Sequence, residues 1–261
     1  MVSPVDFVAG ALTVTRRNFL VWVRTWLPNT FAFVIDPIIY LFALGLGLGT
    51  VMAGGDLGMP FLVFLVPGMM ASAVLFAALV EGTYSALSRL DIQQTYKAIL
   101  CTPITLGQLV LGEMLWGACK ATLGAAAVLV VGFAAGAIVT PLTALLTLPV
   151  AFLAGMCLMA LGLCITSLAR TFDHFSYTWP TVFTPMFLLS GMFMEISAFP
   201  TWVQAIAYAL PASHAIAVMR GLTSGVPLDA ALFAVHLGYL VVLTVVLSVF
   251  AHKGLHRRVF S

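Results

Sequence analysis

Residues 60–80 read PFLVFLVPGMMASAVLFAALV, a run with no ionisable side chain that closes on Glu81. Crossing the hydrocarbon core as a helix takes roughly 20 apolar residues. Lipid offers no hydrogen bonds, so such a run must satisfy its own backbone as helix. The apolar positions are continuous and do not alternate, which sets aside a transmembrane barrel. The whole chain agrees with this stretch. Its 261 residues are 62% hydrophobic and 8% charged, with a mean hydropathy of +1.13, whereas soluble domains sit near 45–50% apolar and about 25% charged. The expectation is an all-α membrane protein, one transmembrane domain over residues 1–261, with little chain left for a soluble domain.

Working outward, residues 30–51 form a second apolar run, with Asp36-Pro37 near its start and glycines at Gly45, Gly47 and Gly49 that permit close helix approach. A short turn, 53–59, joins it to 60–80. Further runs cover 104–139, 142–168, 175–193 and 230–251, for six transmembrane helices. The 104–139 run would measure about 54 Å as a helix, so it must tilt or project. Pro141 breaks it, and Pro149 marks a kink in the next run. Before the first span, Ser3-Pro4-Val5-Asp6 reads as a capped helix start. Residues 4–27 mix Phe19, Trp22 and Trp26 with Arg16, Arg17 and Arg24, the composition of an N-terminal amphipathic interfacial helix, ended by Pro28. Residues 195–227, broken by Pro200, Pro211 and several glycines, suit an extracytoplasmic re-entrant helical hairpin before the last span. No short apolar core with a small-residue cleavage site opens the chain, so no removable leader is expected.

The basic residues set the orientation. With six spans, nine of the eleven Lys and Arg fall on one side, leaving Lys120 inside a span and Arg220 alone opposite. Both termini are therefore expected in the cytoplasm and the chain in the inner (plasma) membrane. A seventh crossing at 195–227 would carry the C-terminal cluster outside.

Several chemistries are excluded. No glycine precedes Lys97, Lys120 or Lys253, so there is no phosphate-binding P-loop. The four cysteines show neither metal-ligand spacing nor a disulfide pattern. Ser190-Gly191 lacks the glycine that a nucleophile motif needs two positions earlier, and the adjacency of Ser213 and His214 does not make a triad. No catalytic, cofactor-binding or metal site is expected on this chain.

Ionisable groups inside a bilayer are expensive, which singles out Asp36, Glu81, Glu113 and Lys120. Glu113 and Lys120 lie seven residues apart, on one helical face but about 10 Å apart along the axis. Each needs a partner on a neighbouring helix, with Asp36 and Glu81 the available acids. Gating, a polar lining for a sugar head group, and structural pairing all remain open. Tyr177, Trp179, Phe183 and Phe187 offer aromatic faces for sugar rings or acyl chains, or simply for packing.

Five stretches carry a family resemblance: YLFALGLGLG at 40–49, FLVPGMM at 64–70, EGTYSAL at 81–87 running on to AILCTPIT at 98–105, and LSGMFM at 189–194 with Pro200, Trp202, Pro211 and Arg220-Gly-Leu beyond it. Their order and spacing resemble the membrane subunit of type-2 ABC exporters, and LGEMLWG at 111–117 is similar to the NodJ-type nodulation-factor exporter branch. The resemblance implies a permease homodimer that binds two copies of a separate ATPase, which holds ATP and Mg. It implies that the cytoplasmic coupling loop follows the second span, at 82–103, where Arg89, Asp91, Gln94, Tyr96 and Lys97 would touch the ATPase, with Arg170 as a second contact. A solvated loop is the plain alternative. The implied cargo is amphiphilic: a lipo-oligosaccharide, glycolipid or drug-like molecule. Membrane lipid is a further partner and nucleic acid is not. Two other functions compete. An ion-coupled secondary transporter predicts inverted repeats, and none is visible. A lipid-modifying membrane enzyme predicts clustered carboxylates or histidines, whereas the nine acidic residues are scattered.

Overall fold

The chain is described from a computed structural model covering residues 3–47, 59–226 and 229–260. The expected turn before Met59, and Gly49, lie outside the described residues. All regular structure among them is helical.

Helix α1 (Pro4–Arg24) starts as its sequence predicts: the Ser3 hydroxyl accepts the Asp6 amide, and Pro4 occupies the first turn, where no amide is needed. It ends at Thr25, ahead of the expected stop. Pro28 instead sits in the first turn of α2 (Trp26–Gly47), the position where a proline costs least. The buried residues of α1, Ala11, Val14 and Asn18, form one stripe, while Leu12, Phe19, Leu20 and Val23 stay exposed.

The 60–80 run becomes the core of α3 (Phe61–Ile92), whose most apolar stretch is 89% buried, the most enclosed among the spanning helices. It packs against α2, α5 and α6. Helix α4 (Thr95–Leu100) is short. Helix α5 (Leu106–Ala134) is shorter than the expected run, because Gly136 turns the chain at φ +67° and Pro141 begins a new helix. Its start carries a capping box between Thr105 and Gln108. Helix α6 (Pro141–Leu168) is irregular at Leu145–Leu146, one turn before Pro149. Pro149 has no amide to give the Leu145 carbonyl, which takes the Leu148 amide instead.

Helix α7 covers residues 173–189, with a wide π-helical turn at Trp179–Phe183 that contains Pro180. Helices α8 (Thr201–Ala209) and α9 (Pro211–Thr223) meet at Leu210 with a bend of 87°. Two short helices in the 195–227 segment are what its prolines demand. Helix α10 (Ala230–Phe260) buries only one stripe, Leu240, Thr244, Ala251 and Leu255, against the bundle.

Among the described residues, four helices (α3, α5, α6 and α10) are long and apolar enough to cross a membrane, or five if the bent pair α8–α9 counts as one. In α2 the apolar portion is Val34–Gly45. Two close crossings hold the centre together. A Cβ on Gly162 of α6 would come within 2.8 Å of the Gly82 Cα on α3, and a Cβ on Gly112 of α5 would meet the Ala11 carbonyl of α1 at 2.6 Å. Only glycine permits either approach. The ends of α3, α6 and α10 gather at one face. There Arg258 pairs with Asp91 and donates to the Thr166 and Ala169 carbonyls.

Candidate functional site

Just above that face, four charged side chains meet inside the bundle. Glu113 is 1% exposed, Glu81 3%, Lys120 4% and Arg89 9%. Arg89 Nη1 donates to Glu81 Oε1 and Nη2 to Glu113 Oε2, each at 2.7 Å, and Lys120 Nζ donates to Glu81 Oε2 at 2.9 Å. The gap of about two turns between Glu113 and Lys120 is thus filled by an acid and a base from α3. Of the two acids expected as partners, Glu81 takes the role and Asp36 does not: Asp36 stands exposed on α2.

Local backbone geometry makes this possible. Eight residues of regular α-helix would turn Arg89 about 80° away from Glu81. A π-helical turn over Glu81–Ser85 absorbs one extra residue, so eight residues now span about two turns and both side chains share a face. The wide turn loosens the backbone bonds beside Gly82, and Thr166 on α6 donates its hydroxyl to the Gly82 carbonyl at 2.7 Å. Arg89 then reaches back along its own helix to Glu81, the direction helical side chains lean.

The network extends to α1, where Asn18 Nδ2 donates to Glu113 Oε1 at 2.8 Å and Arg17 Nη1 to Asn18 Oδ1 at 2.8 Å. Helix α1 is therefore wired to the bundle core. Asn18 carried no sequence signal beyond its place on the buried stripe of α1. A cavity of about 330 Å³ opens beside the network, lined by Arg17, Trp22, Glu81, Arg89, Trp116 and Lys120 among others.

The 82–103 segment divides. Residues to Ile92 continue α3 as helix, so no loop begins at Gly82. Arg89 faces inward, and Tyr96 is 1% exposed in the apolar cluster with Leu90, Leu106 and Leu109. Burial, and then the Glu113 charge, push the Tyr96 phenol well above its ordinary range, so it stays neutral. Asp91, Gln94 and Lys97 are exposed, as is Arg170 after α6. Gln94 has a left-handed backbone, φ 53°, which turns the chain from α3 into α4.

The aromatic set divides as well. Trp179, Phe183 and Phe187 stack along α7 and against Phe76 of α3, with centroid separations from Phe76 of 6.2, 4.4 and 5.9 Å. Tyr177 is 77% exposed and stands apart. The gap beside Trp179 and Phe183 is about 10 Å³, barely room for one water. Ser213 donates to the Ala207 carbonyl, while His214 bonds to His236 and the Tyr208 carbonyl, so no serine triad forms. Among the described residues no cluster of three or more potential metal ligands exists.

A bundle of long apolar helices, organised around charge buried beside one face, is a multi-pass membrane protein. A family model described as ABC-2 type transporter matches residues 10–224, and the chain belongs to that family. It is the membrane-spanning subunit of an ATP-binding cassette exporter, whose ATPase, with its ATP and Mg, is carried by a separate partner subunit. The chain is 38% identical to Nodulation protein J of Rhizobium leguminosarum bv. viciae over 95% of this chain and 94% of that one. It is 37% identical to Nodulation protein J of Rhizobium meliloti (strain 1021), over 83% and 82%. The Bradyrhizobium diazoefficiens protein of the same name is 36% identical over 94% and 92%.

Proposed function

We propose that this subunit exports an amphiphile of the lipo-oligosaccharide class. In this reading, six helices (α2, α3, α5, α6, α7 and α10) cross the inner membrane, both termini are cytoplasmic, α1 lies along the inner surface and α8–α9 dip in from outside. The clustering of nine basic residues on one side supports this topology, as does the meeting of Arg258 with the ends of α3 and α6. Two copies of the chain pair, and each carries one ATPase. Likeness to the Nodulation protein J relatives over nearly the full chain supports the cargo class.

The observation that carries the mechanism is the buried chain of charge Glu113–Arg89–Glu81–Lys120, with Asn18 attached. The ATPase would press on the exposed positions Asp91, Gln94 and Lys97, with Arg170 as the second contact. Arg89 and Tyr96 serve one layer further in, passing that push to α5 and α1. The ion pairs make α3 and α5 move as one piece, because separating them would strand charge in apolar surroundings, and the Asn18 bond to Glu113 takes α1 with them. ATP binding then shifts the population of two bundle states. Cargo would pass beside Trp179, Phe183 and Phe187 once α3 and α7 part, with Tyr177 and Asp36 at the margins of that path. The test is ATPase stimulation in the reconstituted complex. Lys97→Ala should lower it several-fold while leaving the purified chain's thermal stability unchanged; full stimulation in that variant would refute the contact.

A further inference from the structure

A cavity of about 330 Å³ lies between α1 and the α3–α5 seam. Each carboxylate oxygen at the network already accepts a bond: Glu81 from Arg89 and Lys120, Glu113 from Arg89 and Asn18. The Asn18 amide oxygen is taken by Arg17. Donors, by contrast, remain. Arg89 Nε and Trp22 Nε1 are buried with no acceptor among the described residues, and both side chains line the cavity. Arg17 uses one N–H on Asn18 and enters no ion pair among the described residues. Among the described residues the charges show the same excess, carried by Arg17: Arg89 and Lys120 are paired with Glu81 and Glu113, and Arg17 stands outside those pairs. Spare donors with one surplus positive charge suit an acceptor-rich monoanion.

The surroundings say where that anion comes from. Val21 also lines the cavity and is 51% exposed, Phe19, 46% exposed, rests against Trp22 and Trp116 at 6.1 and 6.3 Å, and Trp22 and Trp116 meet edge to face at 6.0 Å. Apolar side chains and indoles around a cationic slot match the boundary between headgroups and acyl chains. We infer that this cavity binds the phosphodiester headgroup of an anionic membrane phospholipid, held chiefly by Arg17, with the glycerol and upper chains against Trp22 and Val21. The bound lipid would anchor α1 to the charge network. The inference rests on the reading of α1 as a helix lying in the headgroup plane.

The probe is phosphatidylglycerol against phosphatidylcholine, each offered in vesicles to the full chain and followed by native mass spectrometry after delipidation. Wild type should keep one phosphatidylglycerol per chain and exchange phosphatidylcholine freely. Arg17→Gln, which preserves a donor for Asn18, should cut retention about tenfold, the worth of one charge-assisted bond. Arg17→Lys should keep the preference for phosphatidylglycerol. Arg24→Gln removes the same charge from the same helix at a residue that does not line this cavity, although it lines a neighbouring one with Arg17 and Val21, and should change retention less than twofold. Equal retention of the two lipids, equal loss in Arg17→Gln and Arg24→Gln, or loss in Arg17→Lys matching that in Arg17→Gln would each overturn the site. Displacement of the lipid by inorganic phosphate at equal concentration would mark a free-anion site and overturn the membrane source. Failure of the interfacial reading shows separately: acyl-brominated phosphatidylcholine would then not quench the fluorescence that Trp26→Phe removes.

Discussion

Replacing Arg89 by methionine tests the organisation of the buried charge directly. Within the ion-paired quartet, two carboxylates and two cations balance, with Arg17 outside it, and Arg89 touches both acids. Arg89→Met leaves Glu81 with Lys120, but leaves Glu113, 1% exposed, with no cation among the described residues, beside the Asn18 amide and the Tyr96 hydroxyl. Stranding one member of a buried pair costs about 3–5 kcal/mol. For a chain of this size each kcal/mol is worth about 2–4 °C, so the melting temperature of the detergent-purified chain should fall by roughly 6–20 °C. Arg89→Met/Glu113→Gln removes one charge of each sign. It keeps the Glu81–Lys120 pair, and the amide oxygen introduced in place of the carboxylate can still accept from Asn18. The double variant should regain about 1–3 kcal/mol, the usual scale for residues in one network. Thermal unfolding followed by size-exclusion chromatography reads both. A single variant melting within about 2 °C of wild type, or a double variant no more stable than the single, would show that these groups do not share their charge as described.

Tyr96→Phe should cost less than about 1 kcal/mol, because the buried hydroxyl makes no resolved hydrogen bond, whereas Tyr96→Ala should cost about 3–5 kcal/mol as a core truncation; similar melting temperatures for the two would deny Tyr96 its packing role. Gly162→Leu should block assembly of α6 on α3, since even a Cβ lands 2.8 Å from the Gly82 backbone; a well-folded monodisperse variant would contradict that crossing. Asp91→Asn should shift stability by no more than about 1 kcal/mol, because its pair with Arg258 is partly solvated, the Asp91 side chain being 39% exposed; a larger loss of melting temperature would place Asp91 in the buried network.

The helical class, the membrane, the capped start of α1 and the two-helix break at Leu210 were legible because each follows from local chemistry: apolar length, a Ser-Pro-x-Asp start, and prolines where amides are missing. The buried charges were legible as a problem and only half as a solution. Glu113 and Lys120 announced the need for partners, and Glu81 was one of two acids at hand. The resemblance puts Arg89 and Tyr96 at the ATPase contact, with a solvated loop as the alternative, whereas both side chains are buried, and ideal helix geometry alone would turn Arg89 away from Glu81.

Sequence alone therefore determined what must leave water and what could not cross lipid uncompensated, since transfer free energy belongs to each side chain wherever the chain goes. Which charge neutralises which was decided only by the tertiary structure. One widened turn at Glu81–Ser85, its loosened carbonyl caught by Thr166 from another helix, resets the register of α3 and brings Arg89 onto the face of α5. That turn depends on a glycine crossing and a hydroxyl from a helix some eighty residues away, and no reading of a single helix contains them.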